Sequence, residues 1–519
     1  MITRSASGIL TATALAASAV FGGTVFSASS AAAQGLAGPY LAAEHAARRG
    51  DIAEASRLFA RVLARDPENL DLMEQTMLHQ VAAGQIAQAV AVARKLDALR
   101  PGHHLGVLIL AADGLRNGKF LDVYDLLASG GSDGGPFVGS IMQAWAEFGA
   151  DDLDGARGVL ADLEEAGTSG AVGSILTAYH LGLIEAAAGN DTEAVLAFAR
   201  AAEASNRGGT SRLIQQRAAA LARTGAVEDA RQLVQERLSL TLGDPRLETL
   251  ILAIDSGDAL GVMTTTAEQG AAEALFAISG YVARGNNRLI GLAYARLATY
   301  LDPSLIDAQL LIAEILSQDE QYGLAIEAYA RVPEDAPEAL NAQIGRAQAL
   351  QDADELEEAL SVLREVVARH GDSIEAHTAL GDMLRQATRY EEAAEAYDGA
   401  IQLIGTPENR HWVLYYQRGI TYERSKQWPK AESDFRQALA LEPDHPLVLN
   451  YLGYSFVEMK INLDEARDMI EKAVEQRPDD GYIVDSLGWI LYRLGEFDEA
   501  LRHMSRAVEL RPVDPVIND

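Results

Sequence analysis

The sequence contains no cysteine among its 519 residues, which excludes disulfide bonds, thiolate metal sites and thiol catalysis in any redox compartment. Lysine occurs only six times, and 43 basic residues face 75 acidic ones, giving a net charge of −32. Because nucleic-acid-binding surfaces need an excess of Lys and Arg, this balance predicts that the chain does not bind nucleic acid. Hydrophobic residues still make up 48% of the chain, so the sequence predicts a folded protein with ample core.

Signatures of enzyme and metal chemistry are also missing. The segment Gly114–Lys119 is too short for a phosphate-binding loop, and Phe120 stands where a hydroxyl would hold magnesium. Asp151, Asp152 and Asp154 lack the glycine and the terminal acid of a calcium loop, so they are interpreted as an acidic turn between helices. The ten histidines show no metal-ligand spacing. We therefore predict no enzyme activity, no catalytic residue, no metal and no cofactor.

Residues 1–33 have the pattern of a secretory signal peptide. A single charge, Arg4, precedes an apolar stretch from Gly8 to Phe26 and three alanines that end at Ala33. The alternative is an uncleaved membrane anchor, but Gly, Ser and Thr dilute the segment and no basic cluster follows it. Without cysteine, a bacterial lipoprotein anchor is not available. The sequence thus predicts an exported protein, expected in the periplasm, that does not insert into a membrane after cleavage.

The rest of the chain is repetitive with a period of 34 residues. Alanines in similar contexts are separated by 34, 34, 38, 35 and 34 residues, and a proline follows twelve residues after several of them. The alanines are Ala325, Ala359, Ala393, Ala431, Ala466 and Ala500, and the prolines are Pro337, Pro443, Pro478 and Pro512. The 35-residue spacing predicts one extra residue in the turn Lys460–Leu463.

Each repeat contains two blocks of helical periodicity joined by a short polar turn, so it is predicted to form a helical hairpin. Small residues such as Gly488 and Ala500 allow the two helices to approach closely, while Met504 fills the neighbouring space. One hairpin cannot bury its apolar face alone, so neighbouring hairpins must stack. The fold class predicted from the repeat is therefore all-α.

These positions resemble the signature of the tetratricopeptide repeat family. The two best sets are Leu487, Gly488, Leu491, Ala500, Met504, Ala507 and Pro512, and Trp412, Tyr415, Gly419, Tyr422, Ala431, Phe435, Ala438 and Pro443. The resemblance implies a right-handed α-solenoid of stacked helical hairpins. After the predicted signal peptide, 1–33, the resemblance divides the chain into divergent repeats in 34–271 and a regular array in 272–514. The tail, 515–519, resembles the start of a further repeat.

The repeats begin near defined residues. The predicted starts are 36, 70, 104, 137, 175 and 211 in the divergent part and 272, 306, 340, 374, 412, 446 and 481 in the regular array. Residues 245–271 are predicted to form a degenerate helix pair, and Ser129–Pro136, rich in glycine, is predicted to be a flexible bend.

The resemblance also implies a binding groove formed by the first helix of each hairpin. Its second, fifth, ninth, twelfth and thirteenth positions face the groove in this family. In the last three repeats these positions supply the candidate partner-binding residues Tyr416, Glu423, Arg424, Asn450, Tyr454, Tyr482, Asp485, Trp489, Tyr492 and Arg493. The alternative, that aromatic residues of helical repeats are core, is expected to hold for Tyr422 and Phe435. The lysine that family members use to clamp a C-terminal carboxylate is missing.

Two functional hypotheses follow. The first is a non-enzymatic scaffold or adaptor of the bacterial cell envelope that binds a peptide segment or helix of a partner protein in this groove. The second is an accessory or regulatory subunit of an envelope enzyme or assembly machine, for instance in polysaccharide export, outer-membrane assembly or peptidoglycan processing. The acidic charge favours a basic or neutral partner; alternatively, it only keeps a long array soluble. The sequence does not determine the oligomeric state.

Overall fold

The computed structural model describes residues 28–129, 136–166, 170–205, 208–240, 244–285 and 287–518. Within these ranges the regular elements are helices and no strand occurs, which confirms the predicted all-α class. The predicted signal peptide lies outside the described residues up to residue 27, and the predicted bend is outside them at 130–135. None of the helices described is both long and apolar enough to cross a membrane.

The chain divides into two compact units, one ending at Pro101 and one beginning at Gly102. The first unit contains two helical hairpins. Asp51 and Asn69 cap two of its helices by accepting hydrogen bonds from the backbone N–H three residues on. Its core includes Phe59, which is fully buried. The helices are α1 (Ala28–Arg48), α2 (Ile52–Leu63), α3 (Leu70–Ala82) and α4 (Ile86–Leu99).

The second unit continues the hairpin pattern and adds one unpaired helix. Its first part comprises α5 (His104–Arg116), α6 (Phe120–Ser129), α7 (Pro136–Gly149), α8 (Leu153–Glu165), α9 (Gly170–Ala187), α10 (Asp191–Ala204), α11 (Ser211–Arg223), α12 (Val227–Leu240) and the unpaired α13 (Pro245–Ser256). The regular array comprises α14 (Ala267–Arg284), α15 (Arg288–Leu301), α16 (Ile306–Gln318), α17 (Tyr322–Tyr329), α18 (Ala339–Asp352), α19 (Leu356–Arg369), α20 (Ile374–Gln386), α21 (Tyr390–Gln402), α22 (Trp412–Arg424), α23 (Trp428–Leu441), α24 (Pro446–Met459), α25 (Leu463–Gln476), α26 (Gly481–Leu494), α27 (Phe497–Leu510) and the short α28 (Pro515–Asn518).

The hairpins pack closely because glycine and alanine occupy the helix contact. A Cβ atom at Gly419 would lie 2.7 Å from the ring of Phe435, and one at Gly488 would lie 2.6 Å from Cγ of Met504. Tyr422 and Phe435 are buried, as predicted for core positions. The turn after α24 places both Lys460 and Asn462 at positive φ, whereas the other array turns for which positive φ is described have one such residue, in agreement with the predicted extra residue.

The prediction of a degenerate helix pair in residues 245–271 is wrong, because only α13 forms there before α14 begins. Gly257 ends α13 in the left-handed conformation, with φ of 75°. The next residues run to Thr266 without a helix, and the Thr266 side chain accepts a hydrogen bond from the backbone N–H of Gln269 to cap α14. Three consecutive β-branched threonines, Thr264 to Thr266, disfavour a helix in this segment.

The array returns to earlier hairpins at α14 and α15. Helix α14 packs against α5, α7 and α9, and α15 packs against α5. Gly270 lies directly against the fully buried Trp145 ring, and the hydroxyl of Tyr294 hydrogen-bonds with Nε2 of His104 at 2.9 Å. Hairpins far apart in sequence therefore share one core. As a result, α9, α11 and α13 lie opposite α14, α16 and α18.

This shared core contains a buried histidine, His180, whose titration leads to a pH-dependent prediction. Nε1 of Trp145 donates a hydrogen bond to Nδ1 of His180 at 3.0 Å, and both side chains are fully buried. Burial lowers the pKa of His180 to about 3. Because this value is below that of an unfolded histidine, about 6.5, the contribution to stability is present above that pH and is lost as the pH falls towards the folded value.

We therefore expect the free energy of unfolding to fall by about 2 kcal/mol more in the wild type than in His180→Gln between pH 7.5 and pH 5, at about 1.4 kcal/mol per pH unit below 6.5. Denaturant unfolding of both proteins at the two pH values measures this difference. His503→Gln, on the second helix α27, is the control for replacement of a histidine outside this core. Equal pH dependence of the wild type and His180→Gln would contradict the assignment.

Candidate functional site

The first helices of the array hairpins, α14, α16, α18, α20, α22, α24 and α26, are together called the first-helix face. The predicted groove residues of the last three repeats lie on α22, α24 and α26 of this face. Four of them are exposed, namely Arg424, Tyr454, Tyr482 and Tyr492, and six are half-buried, namely Tyr416, Glu423, Asn450, Asp485, Trp489 and Arg493. None of the ten is fully buried, so each side chain retains some accessible surface.

Aromatic rings are concentrated on α26. The rings of Trp489 and Tyr492 are stacked, with centroids 5.6 Å apart and an interplanar angle of 17°. Nε1 of Trp489 donates a hydrogen bond to Oε1 of Glu458 at 2.7 Å, and the Arg493 guanidinium lies 5.5 Å from the Trp489 ring centre. Trp489 also packs partly against the core, whereas Tyr492 is 49% exposed. These contacts hold a flat aromatic surface open to solvent.

Tyr454 connects α24 to this aromatic surface. It is 41% exposed, and its pKa is raised by burial and further by the nearby Glu458 and Asp485. The pKa of Asp485 is raised by burial and by Asp514. The structure thus brings Tyr454, Glu458, Asp485 and Trp489 together across two repeats, although they are up to 35 residues apart in sequence.

The remaining predicted residues are held by neighbours. Tyr416 packs between aromatic rings, with centroid distances of 6.1 Å to Phe435 and 5.9 Å to Tyr451. The Tyr451 hydroxyl donates a hydrogen bond to Oε2 of Glu423 at 3.1 Å, and Nε of Arg424 lies 3.5 Å from the same oxygen. At this end of the surface Tyr416 and Glu423 are half-buried and held by neighbours, whereas Arg424 is exposed.

Tyr482 and Asn450 complete the set. The Tyr482 hydroxyl donates to the Asp514 carboxylate, and the Arg511 guanidinium lies 4.6 Å from the centre of the Tyr482 ring. Oδ1 of Asn450 is buried and has no hydrogen-bond partner among the described residues.

A second feature of the first-helix face escaped the sequence analysis. A cavity of about 870 Å³ lies where α9, α11 and α13 face α14, α16 and α18. Seven of the array residues that line it occupy the second, fifth or ninth position of their repeats, which are positions assigned to the groove: Glu273, Phe276, Gly280, Asp307, Leu310, Glu314 and Asn341. Applying the groove positions to the repeats from 272, 306 and 340 would have found them. What the sequence could not show is that another part of the chain covers them.

Two arginines hold the cavity walls together. Nε of Arg212 donates to both carboxylate oxygens of Glu273 at 2.9 Å, and its Nη1 donates to Oδ2 of Asp307 at 2.6 Å. Nη2 of Arg246 donates to Oδ1 of Asp307 at 2.7 Å, and its Nε donates to Oε1 of Glu338 at 3.1 Å. We call these five residues the arginine clamp. Their side chains are between 4% and 20% exposed, so the clamp is largely desolvated.

The clamp repeats with the period of the array. Thirty-four residues separate Arg212 from Arg246, and thirty-four separate Glu273 from Asp307. Both cross-contacts, Arg212 with Glu273 and Arg246 with Asp307, therefore span 61 residues. Burial by itself lowers the pKa of Arg212, but Glu273 and Asp307 raise it well above the ordinary value. The two arginines are thus held in the charged form.

Three carboxylates at groove positions of the first-helix face have neither an ion pair nor a hydrogen bond among the described residues. Glu314 on α16, Glu375 on α20 and Asp485 on α26 make no ion pair or hydrogen bond within the described part of the chain. The pKa of Glu314 is raised by burial, and that of Glu375 is raised by burial and by Glu248 of α13. The described residues contain no group of three or more His, Asp or Glu side chains arranged to hold a metal ion.

Comparison with known proteins gives matches along the array. Residues 310–374, 344–407, 412–445 and 484–512 match models of the tetratricopeptide repeat. A TPR repeat-containing protein of Pseudomonas aeruginosa is 29% identical over 206 residues, which are 40% of this chain and 34% of that protein. The BBSome complex member BBS4 of Bos taurus is 29% identical over 140 residues, 26% of each protein. The chain therefore spans about a third of the first relative and about a quarter of the second.

Among solved structures, the crystal structure of the APC/C hetero-tetramer Cut9-Hcn1 aligns with a TM-score of 0.36 and 16% identity over 87% of this chain and 96% of that chain.

Proposed function

Since the chain belongs to the tetratricopeptide repeat family, whose arrays provide extended protein-binding surfaces, we propose that it is a non-enzymatic scaffold that binds a peptide segment or helix of a partner protein. The binding surface is the first-helix face of α22, α24 and α26. The observation that carries the proposal is the accessible aromatic surface of Tyr454, Trp489 and Tyr492, which lies at the groove positions of two successive repeats.

The chemistry of this surface suits protein recognition. Tyrosine and tryptophan supply large contact areas at low entropic cost, and they are enriched among the residues that dominate binding energy. Here their rings are fixed before binding, because Trp489 is hydrogen-bonded to Glu458 and stacked on Tyr492. A prearranged surface loses little conformational freedom when a partner binds.

We further propose that the chain acts in the bacterial cell envelope, exported by the predicted signal peptide of residues 1–33 and located in the periplasm. The second candidate role, as an accessory or regulatory subunit of an envelope enzyme or assembly machine, would use the same surface. Mass spectrometry of the intact protein purified from its native cells gives the first residue of the mature chain and so tests export. A mature chain that begins near Gln34 supports export, and one that begins at Met1 contradicts it.

The binding surface is tested by Tyr454→Ala combined with Tyr492→Ala. Both side chains are exposed, so the pair of changes removes contact area without opening a cavity in the core. We expect capture of the partner from the envelope fraction to fall about thirtyfold, the effect of losing about 2 kcal/mol of binding energy. Quantitative mass spectrometry of proteins retained by the wild type and by the variant measures the loss.

The matched control is Tyr322→Ala with Leu501→Ala, which changes two residues on the second helices α17 and α27. Its capture of the partner should equal that of the wild type. Unchanged capture by the double variant of the aromatic surface would overturn the proposal. A fall of more than a few degrees in its melting temperature would instead show that these two tyrosines support the fold.

A further inference from the structure

The arginine clamp shows how carboxylates of the first-helix face are paired within the chain. In the first two repeats of the array, the carboxylates at the second groove position, Glu273 and Asp307, each accept hydrogen bonds from an arginine. Each arginine is the second residue of a helix on the opposite wall, α11 or α13. An arginine guanidinium suits this role because its planar donors match a carboxylate and it stays charged when desolvated. The chain thus provides an internal example of recognition by this face.

The same carboxylate series continues beyond the clamp without an arginine. Glu375 is at the second groove position of the repeat from 374, two periods after Asp307, and Asn341 takes the position between them. Burial raises the pKa of Glu375, and the negative charge of Glu248 on α13 raises it further. A cation from outside the chain would relieve this like-charge repulsion.

Asp485 repeats this situation at the other end of the surface. It is half-buried and is the fifth residue of α26, one of the groove positions, near Asp514. No cation among the described residues pairs with it. Flat aromatic faces lie beside it, because Tyr454 is next to Asp485 and Trp489 lies on the same helix. Guanidinium groups stack on such rings, as Arg493 does on Trp489.

We propose that the partner segment bound by α20 to α26 is basic, and that its arginine side chains pair with Glu375 and Asp485 as Arg212 and Arg246 pair with Glu273 and Asp307. This inference rests on the proposed scaffold function and adds the chemistry of the partner. The aromatic surface then binds the apolar parts and guanidinium faces of the same segment, and the two carboxylates select its charge.

Selection of a displayed library of random peptides for binding to the full-length chain tests the proposal without knowledge of the natural partner. Peptides are selected at about 0.15 M salt, where long-range attraction to the acidic protein is screened. We expect the selected pool to be enriched in arginine. The best peptide from this pool is then synthesised, and its affinity is measured by fluorescence anisotropy titration. We expect it to bind the double variant Glu375→Gln, Asp485→Asn at least tenfold more weakly than the wild type.

The matched control is Glu391→Gln with Asp498→Asn. These exposed acids lie in the first turns of α21 and α27, the second helices of the same two repeats, so the net charge changes equally. Binding of the peptide by this control should stay within twofold of the wild type. Equal loss in both variants would overturn the proposal, since it would show attraction to net charge alone.

The remaining outcomes separate this inference from the proposed function. The selected peptides could lack excess arginine and still bind the Tyr454→Ala, Tyr492→Ala variant more weakly. This result would overturn the proposal that the partner is basic, but it would leave the proposed scaffold function standing. Peptides insensitive to both sets of changes would overturn both. The Glu375→Gln, Asp485→Asn variant should melt no lower than the wild type, because neither carboxylate has a partner in the described chain; a clear drop in melting temperature would also overturn the proposal.

Discussion

Replacement of Gly270 with alanine is expected to lower the free energy of unfolding of the unit from Gly102 by about 3 kcal/mol, the upper part of the range for overpacked cores. The added Cβ atom would lie 2.0 Å from Cδ2 and Cε2 of Trp145. The indole cannot move aside, because it is fully buried and its Nε1 is hydrogen-bonded to His180. Helix α14 must therefore shift away from α7.

Gly323→Ala is the matched control for this prediction. Gly323 is also a helical glycine of the array, on α17, but a Cβ atom there would have no atom within 4 Å. Since alanine favours helix more than glycine does, this change should leave stability unchanged or raise it by up to about 1 kcal/mol. Denaturant unfolding of the two variants and the wild type makes the comparison, and similar effects of the two substitutions would refute the close contact with Trp145.

The contrast between these two glycines shows how far the sequence could be interpreted. The 34-residue period predicted where most first helices of the array begin, and those beginning at Ile306, Ile374, Trp412, Pro446 and Gly481 match the predicted starts. Helix α18 begins one residue before its predicted start, and α14 begins at Ala267, five residues before the predicted 272. The period is a local property, since each hairpin contacts its neighbours through the same positions. The contact of Gly270 with Trp145 joins segments 125 residues apart, and no periodic signal in either helix indicates it.

The candidate site divides in the same way. The groove positions predicted from the family resemblance bring Tyr454, Trp489 and Tyr492 to one surface, because first helices repeat at a constant offset. The arginine clamp could not be predicted, since it depends on the single helix α13, where a helix pair was expected. That single helix, followed by a non-helical segment, directs the chain back so that Arg212 and Arg246 face the array.

Loss of one clamp arginine is the other change with a large expected effect. Arg212→Met retains most of the apolar stem but removes the guanidinium that pairs with Glu273, whose side chain is only 4% exposed. A buried carboxylate without a partner is strongly unfavourable, so we expect a loss of about 3 kcal/mol of unfolding free energy at pH 7. Asp307 remains paired with Arg246, so the effect is confined to Glu273.

A second substitution distinguishes the loss of charge pairing from the loss of packing. In Arg212→Met with Glu273→Gln the unpaired charge is absent, and stability should return to within about 1 kcal/mol of the wild type, as expected when a buried ion pair is replaced as a whole.

Arg502→Met is the control for a pair of the same type at the surface. Arg502 and Glu499 are paired on α27, but their side chains are 71% and 52% exposed, so the change should alter stability by less than about 0.5 kcal/mol. Hydrogen exchange of Arg212→Met should show faster exchange in α11 and α13 and unchanged exchange in α24 and α26. Faster exchange throughout the array would mean that the clamp stabilises the entire unit, whereas a local increase would mean that it holds one wall of the cavity against the first-helix face.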